Sequence, residues 1–321
     1  MRASAAESVQ IGYKAVHYPF QPAPRHAKRY EGKPIDYPET MANTEENYRS
    51  QSNWIKERRY GIHGIDHMET GAFDKDPVPS FDKLYHDFCE TVHGLDENIG
   101  RVLDRLDKLG LTDDTLVIFS SDNGPEVPTV INMRKTHKHD GARPWRGVKR
   151  DNWEGGHRVP FIARWPRKVR PGTVTNQTIC LTDLMATFAE ILDVELPNEV
   201  AEDSLNFLPV LLGKDQGKPV REYILHQTIS LSMAIRRGNW KYLDHKGSGG
   251  SNYGRDGEWG LKQYALPDKA PDAPGQLYNL QTDPGETDNL YFGQPEIVKE
   301  LKAKLEEFKK SGRSVPPRSV H

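Results

Sequence analysis

Apolar residues recur at steps of three and four from Phe81 through Leu84, Phe88, Val92, Leu95, Ile99, Val102, Leu106 and Leu109, with charges between them and Gly110 as the stop. This period predicts an amphipathic helix with Ser80 as its N-cap. The run Thr115-Leu-Val-Ile-Phe-Ser120 that follows is apolar, unbroken and of strand length, which predicts a central parallel strand buried on both faces. A second apolar strand is expected over Val159 to Arg164. A second helix is expected over Thr182 to Leu192, where Leu184, Phe188, Ile191 and Leu192 share one face. Nearer the start, Val9-Gln-Ile-Gly-Tyr13 alternates as a short strand does.

Past about Pro219 the texture changes to short alternating segments: Glu222 to His226, Leu231 to Arg236, Trp240 to Leu243 and Gln276 to Leu280. These predict a small antiparallel sheet, closed by a terminal helix near Pro295 to Lys310. Helix followed by buried strand is the pattern of the α/β class, and sheet plus helix at the end is that of an α+β subdomain. The expected division is residues 1–218 and residues 219–321. From Pro19 to Pro79 no period is sustained, and a long wrapping loop with helical turns around Thr44 to Arg59 is expected. Gly247 to Gly260 reads as a flexible excursion between strands.

Composition narrows the class of protein more than its architecture. Lys and Arg total 44 against 46 Asp and Glu, so the net charge of −2 argues against a coat for nucleic acid or an anionic membrane, and any anion site must be local. No apolar run is long enough to span a bilayer. The polar start Met1-Arg-Ala-Ser-Ala-Ala-Glu-Ser8 does not read as a signal peptide. Two cysteines, Cys89 and Cys180, cannot build a disulfide framework.

The chemistry gathers at two places. Ser121-Asp122-Asn123-Gly124-Pro125 follows the strand at its C-terminal end, where open α/β sheets place ligands. Asp122 and Asn123 offer the hard oxygen donors that Ca²⁺ or Mg²⁺ takes, although Asp-Asn-Gly is also an ordinary turn. The second place is the basic stretch Arg146, Lys149, Arg150, His157 and Arg158, between two elements that feed the sheet and so positioned to meet an oxyanion.

Taken in order, Lys14-Ala-Val-His17-Tyr-Pro19, Ser120-Ser-Asp122-Asn123-Gly124, Arg146-Gly-Val-Lys149, Glu154-Gly-Gly-His-Arg-Val-Pro160, Trp165-Pro166, Leu181-Thr-Asp-Leu184 and Leu277-Tyr-Asn-Leu280 with Asp283-Pro-Gly-Glu286 resemble the sulfatases of the alkaline-phosphatase-like superfamily. The resemblance covers nearly the whole chain. It implies a mixed sheet flanked by helices, Ca²⁺ held in part by Asp122 and Asn123, Lys149 on a sulfate oxygen, and His17 binding the sulfate or protonating the leaving alcohol. It also implies a sulfated sugar or polysaccharide as substrate, with His139, Arg143 and Arg146 as substrate-binding residues, and a periplasmic or extracellular setting for the full-length family.

The departures are as informative. The family carries a strand ending in paired aspartates that complete the metal site, and a Cys/Ser-x-Pro-x-Arg motif whose first residue becomes formylglycine. Neither is found in its place, and Cys89 and Cys180 stand outside such a motif. Ser314-Val-Pro-Pro-Arg318 matches formally but lies in a Pro-rich tail, where no helix follows to aim N–H groups at a sulfate. The expectation is an N-terminally truncated sulfatase, inactive as this chain alone, with an exposed sheet edge open to self-association. The alternatives are a non-catalytic sulfated-glycan-binding remnant, half of a split enzyme that pairs with a separate N-terminal half, or a phosphodiesterase or phosphatase of the same superfamily.

Overall fold

The computed structural model describes residues 7–17, 20–35, 81–126, 141–251, 253 and 265–318. The chain divides into two compact units, Met1–Thr112 with Glu126–Gly141, and Asp113–Pro125 with Ala142–His321.

In the first unit the predicted amphipathic helix is α1, Phe81–Lys108. The segment 20–33 packs on it: Phe20 meets Phe88 edge to face at 5.2 Å, Arg25 pairs with Glu97 at 3.0 Å, and the Tyr30 N–H donates to Glu90 Oε1. Val9 to Tyr13, expected as a strand, has no ladder partner among the described residues, and Val9, Ile11 and Tyr13 are exposed. Alternation alone cannot make a strand without a neighbour to receive its hydrogen bonds. Ser80, the Thr44 to Arg59 turns and His139 lie outside the described residues.

In the second unit β1 (Val117–Ser120) pairs with β2 (Phe161–Arg164) in antiparallel register, Phe119 facing Ile162. This corrects the expectation of a parallel strand buried on both faces. Among the described residues the pair is two-stranded, and Phe119 and Ile162 remain 38% and 61% exposed. The ladder starts at Phe161 instead of Val159 because Pro160 has no N–H to donate. Two helices follow, α2 (Leu184–Ile191) and the short α3 (Leu208–Leu211). The buried Asp183 carboxylate accepts from Cys180 N, Leu205 N and the Arg221 guanidinium, tying the start of α2 to the segment leading into the C-terminal sheet.

That sheet is antiparallel in the order β3 (Tyr223–Gln227), β4 (Met233–Arg237), β5 (Trp240–Leu243) and β6 (Gln276–Asn279). The terminal helix α4 (Pro295–Ser311) covers one face, with Val298, Leu301, Leu305 and Phe308 at helical spacing against Ile235, Tyr242 and Leu277. Because strand side chains alternate, Ala234, Leu243 and Tyr278 point to the other face, where Trp153 packs on them. By the same alternation Arg236 and Lys241 face the 146–158 segment. The four strands and terminal helix fall within about two residues of their expected places. The described part of the Gly-rich stretch is packed instead of a flexible excursion. Ser248 is buried, and a Cβ at Gly250 would stand 1.8 Å from Arg150 O.

Candidate functional site

The turn after β1 is built by close approach of main chain to main chain. Gly124 N donates to Gly156 O at 3.0 Å, and a Cβ at position 124 would lie 1.9 Å from Gly155 O, so only glycine fits. Just before it, Asp122 is exposed and Asn123 half-buried. The Asn123 amide nitrogen donates to Gly124 O at 2.8 Å, which leaves the amide oxygen as the side chain's acceptor end.

The lysine-bearing segment is stitched to the same turn. Lys149 N donates to Pro125 O at 2.8 Å, and Gly155 N donates to Arg146 O at 2.7 Å. Gly147 adopts φ +91°, and the bend beyond it is held by the buried Asp151 carboxylate, which accepts from Val148 N, Ser251 N and the Tyr253 hydroxyl, each at 3.0 Å. Burial pushes the Asp151 carboxyl above its ordinary value despite these donors. The fold thereby brings Asp122, Asn123, Arg146 and Lys149 into one unit and onto two hydrogen-bonded turns. His17 belongs to the first unit, exposed, with its N–H donating to Lys14 O; Arg143 is exposed.

The basic cluster sorts into two kinds of cation. Arg146 stacks 3.6 Å from the Trp153 ring centroid and donates to Glu286 O at 2.7 Å. Arg158 stacks on Trp145 and bonds Glu154 Oε2 at 2.7 Å. His157 is stacked on His226 with centroids 3.6 Å apart. The half-buried Lys149 ammonium, by contrast, has no ion pair or side-chain hydrogen bond among the described residues.

Beneath this surface lies a buried charge network absent from the sequence reading. The Glu154 carboxylate meets Lys241 Nζ at 2.9 Å, Arg158 Nε at 2.7 Å and Arg236 Nη1 at 3.1 Å. Lys241 also lies 3.2 Å from Glu286 Oε1, while Glu286 Oε2 accepts from Glu154 N at 2.7 Å. Lys241, Glu154 and Glu286 are all at most 1% exposed. Burial works against ionised Glu154, but the Lys241 ammonium and its neighbours hold the carboxyl well below its ordinary value. Glu286, which shares Lys241, is pushed up to about 7, with burial as the larger cause and the Glu154 charge adding to it. Burial, reinforced by the Lys241 charge, pushes His157 down to about 3.

Ser314, the formal motif match, is bound at the tail. Its N–H and hydroxyl both bond Asp203 Oδ1, and the Arg318 guanidinium is spent on the carbonyls of Pro197, Val200 and Ala201. The segment is extended tail, with no helix behind it among the described residues. Asp122 and Asn123 have the right donor chemistry for Ca²⁺ but supply two oxygens where the ion takes ~6–8. Among the described residues no group of three His, Cys, Asp or Glu side chains is arranged to hold a metal.

Comparison with known proteins agrees with this architecture. The sulfatase family model matches residues 8–194. The chain is 38% identical over 218 residues to the N-acetylgalactosamine-6-O-sulfatase of Bacteroides thetaiotaomicron, covering 67% of this chain and 40% of that protein. It is 32% identical over 225 residues to human arylsulfatase A, covering 67% and 42%. A solved structure from work on glycosaminoglycan metabolism in B. thetaiotaomicron superimposes with a TM-score of 0.58 at 34% identity, over 70% of this chain and 45% of that one. The chain belongs to the sulfatase family. It spans less than half the length of these relatives.

Proposed function

We propose that this chain carries the sulfate-oxygen and cation-binding part of a site that hydrolyses sulfate esters on sugars. The observation that carries the reading is the Lys149 ammonium, half-buried, without a partner among the described residues, and held through its own N–H to the turn that presents Asp122 and Asn123. In this reading Lys149 donates to a nonbridging sulfate oxygen and opposes the charge that builds there. The family resemblance would give His17, in the other unit, the task of protonating the leaving alcohol oxygen. Asp122 and Asn123 would supply two oxygens toward Ca²⁺, which would withdraw charge from the sulfate. Arg146, already committed to Trp153 and Glu286 O, shapes the loop. His139 and Arg143 are kept as contacts to the sugar. The sugar itself is suggested by the names of the relatives: a 6-O-sulfatase of N-acetylgalactosamine and a protein of glycosaminoglycan metabolism.

The reading takes Ser314, whose hydroxyl bonds Asp203, as no nucleophile and places the formylglycine motif and the paired aspartates outside the residues matched here. The expected result is therefore that this chain turns over 4-nitrophenyl sulfate at background rate, yet is retained on heparin, with Lys149→Ala eluting at lower salt and the exposed Lys302→Ala unchanged. Turnover that vanishes in Lys149→Ala would show that a nucleophile is present after all. Unchanged retention of Lys149→Ala would remove the lysine from the site.

A further inference from the structure

Beyond α4 the chain turns out of the helix at Gly312, whose φ is +72°, and residues 313–318 then lie along the loop 197–203 of the same unit. Asp203 Oδ1 accepts both the N–H and the hydroxyl of Ser314. Asn198 pairs with the main chain of Arg318 in both directions: its Oδ1 takes the N–H at 2.6 Å, and its Nδ2 donates to the carbonyl at 3.3 Å. The Arg318 guanidinium enters a cage of three carbonyls, those of Pro197 and Val200 on Nη1 and that of Ala201 on Nη2, at 2.8, 2.9 and 2.7 Å. At the other end Arg313 Nη2 reaches Glu202 O at 3.2 Å. Ala201 adopts φ +51°, a left-handed conformation that costs a residue with a Cβ, within the turn that brings these carbonyls together. We propose that the loop 197–203 is a peptide-recognition site that reads an extended Arg-Ser-x-Pro-x-Arg segment, with residues 313–318 as its resident occupant, a detachable clasp and not part of the core.

Three observations separate recognition from packing. No residue of 313–318 is buried, and Pro316 and Pro317 are exposed, so polar contacts at the two ends hold the segment and its departure opens no core. The loop is also kept in shape from its opposite side: Asp203 O takes the Arg221 guanidinium, Leu205 N donates to the buried Asp183, and Ser204 Oγ accepts from Ala186 N at 2.8 Å. A receptor already formed, meeting a ligand whose two prolines fix φ, loses little conformational entropy on binding. Finally, the charges are complementary. Residues 195–203 hold four carboxylates and no Lys or Arg, whereas 313–318 holds two arginines and no acid. The fixed fork of Arg318 satisfies three carbonyls at once, which the single ammonium of a lysine does not match. None of these residues belongs to the Asp122–Asn123 turn or to the Lys149 segment.

The peptide Arg-Ser-Val-Pro-Pro-Arg, amidated and labelled with fluorescein at its N-terminus, tests this when titrated by anisotropy into the full chain and into a chain ending at Gly312. The shortened chain is expected to melt cooperatively and to bind the peptide saturably. In the full chain the resident segment competes at an effective concentration of ~1 mM against a dissociation constant of ~50 µM, so apparent affinity should be about twentyfold lower. A peptide carrying Arg318→Lys should bind the shortened chain about tenfold more weakly. Equal affinity of the two chains, no binding by a folded shortened chain, or equal binding of the Arg318→Lys peptide overturns the proposal. If the chain ending at Gly312 does not fold, the full chain carrying Ser314→Ala and Arg318→Ala decides: tighter peptide binding than wild type supports the clasp, and unchanged binding overturns it.

Discussion

A glycine and two histidines show how steeply single residues weigh in this molecule. Replacing Gly124 by alanine would drive a methyl into Gly155 O, with backbone on both sides and nothing free to swing away. A loss of ~1–3 kcal/mol is expected in urea denaturation, on the scale of overpacked cores. Gly285, where a Cβ would meet no atom nearer than 3.6 Å, should accept the same change with little effect. His157 and His226 titrate below their ordinary range because burial and the Lys241 charge oppose an imidazolium. Groups held neutral in this way contribute stability that is present above the unfolded value of ~6.5 and is lost as pH falls below it. Glu286 acts in the opposite sense: its contribution is full below ~4.5 and is lost as pH rises toward about 7. Melting temperature should therefore climb more steeply between pH 4.5 and 7 in Glu286→Gln than in wild type. Parallel curves would show that Glu286 does not titrate there.

At the scale of elements, sequence pattern was a good guide where one period governed one element. The three- and four-residue steps from Phe81 gave α1, and alternation over Trp240 to Leu243 gave β5, because each pattern matches the repeat of its own element. It failed where the deciding fact was a neighbour. Thr115 to Ser120 has the composition of a doubly buried parallel strand, yet its ladder in the described residues runs antiparallel to β2 alone. Lys241, in the alternating segment Trp240 to Leu243, is buried against two carboxylates contributed from residues 154 and 286. No local pattern encodes a partner 87 positions away. The Asp122–Asn123 turn was legible from its place after a strand, while the sorting of the cations into committed Arg146 and Arg158 and uncommitted Lys149 needed three dimensions. Two tests belong at this scale. Arg221→Met strips the cation from buried Asp183 and should cost ~3–5 kcal/mol by denaturant titration. Ile162→Lys, placing charge in the exposed Phe119–Ile162 pair, should reduce concentration-dependent association in sedimentation velocity; a wild-type chain that sediments as a monomer at all concentrations would refute a sticky face.

Across the whole molecule, a sulfatase-family chain of modest net charge carries its candidate site residues on loops packed against the C-terminal sheet. The C-terminal sheet has a helix on one face, through Leu301 and Leu305, and Trp153 with the charged network on the other. The α4 helix and the Glu154 network thus share one sheet from opposite faces. Leu305→Ala should cost ~2–5 kcal/mol and lower heparin retention together.

The seam between Gly124 and Gly156 also bears on how such a protein can be altered. A junction made of main chain on both sides stores none of its specificity in side chains, so point substitution can break it but cannot retune it. In a saturation library, positions 124, 155 and 156 should appear as sharp intolerant notches. Viable diversity should be displaced onto the surrounding side chains, and selection for a new ester substrate would have to work by exchanging neighbouring loops.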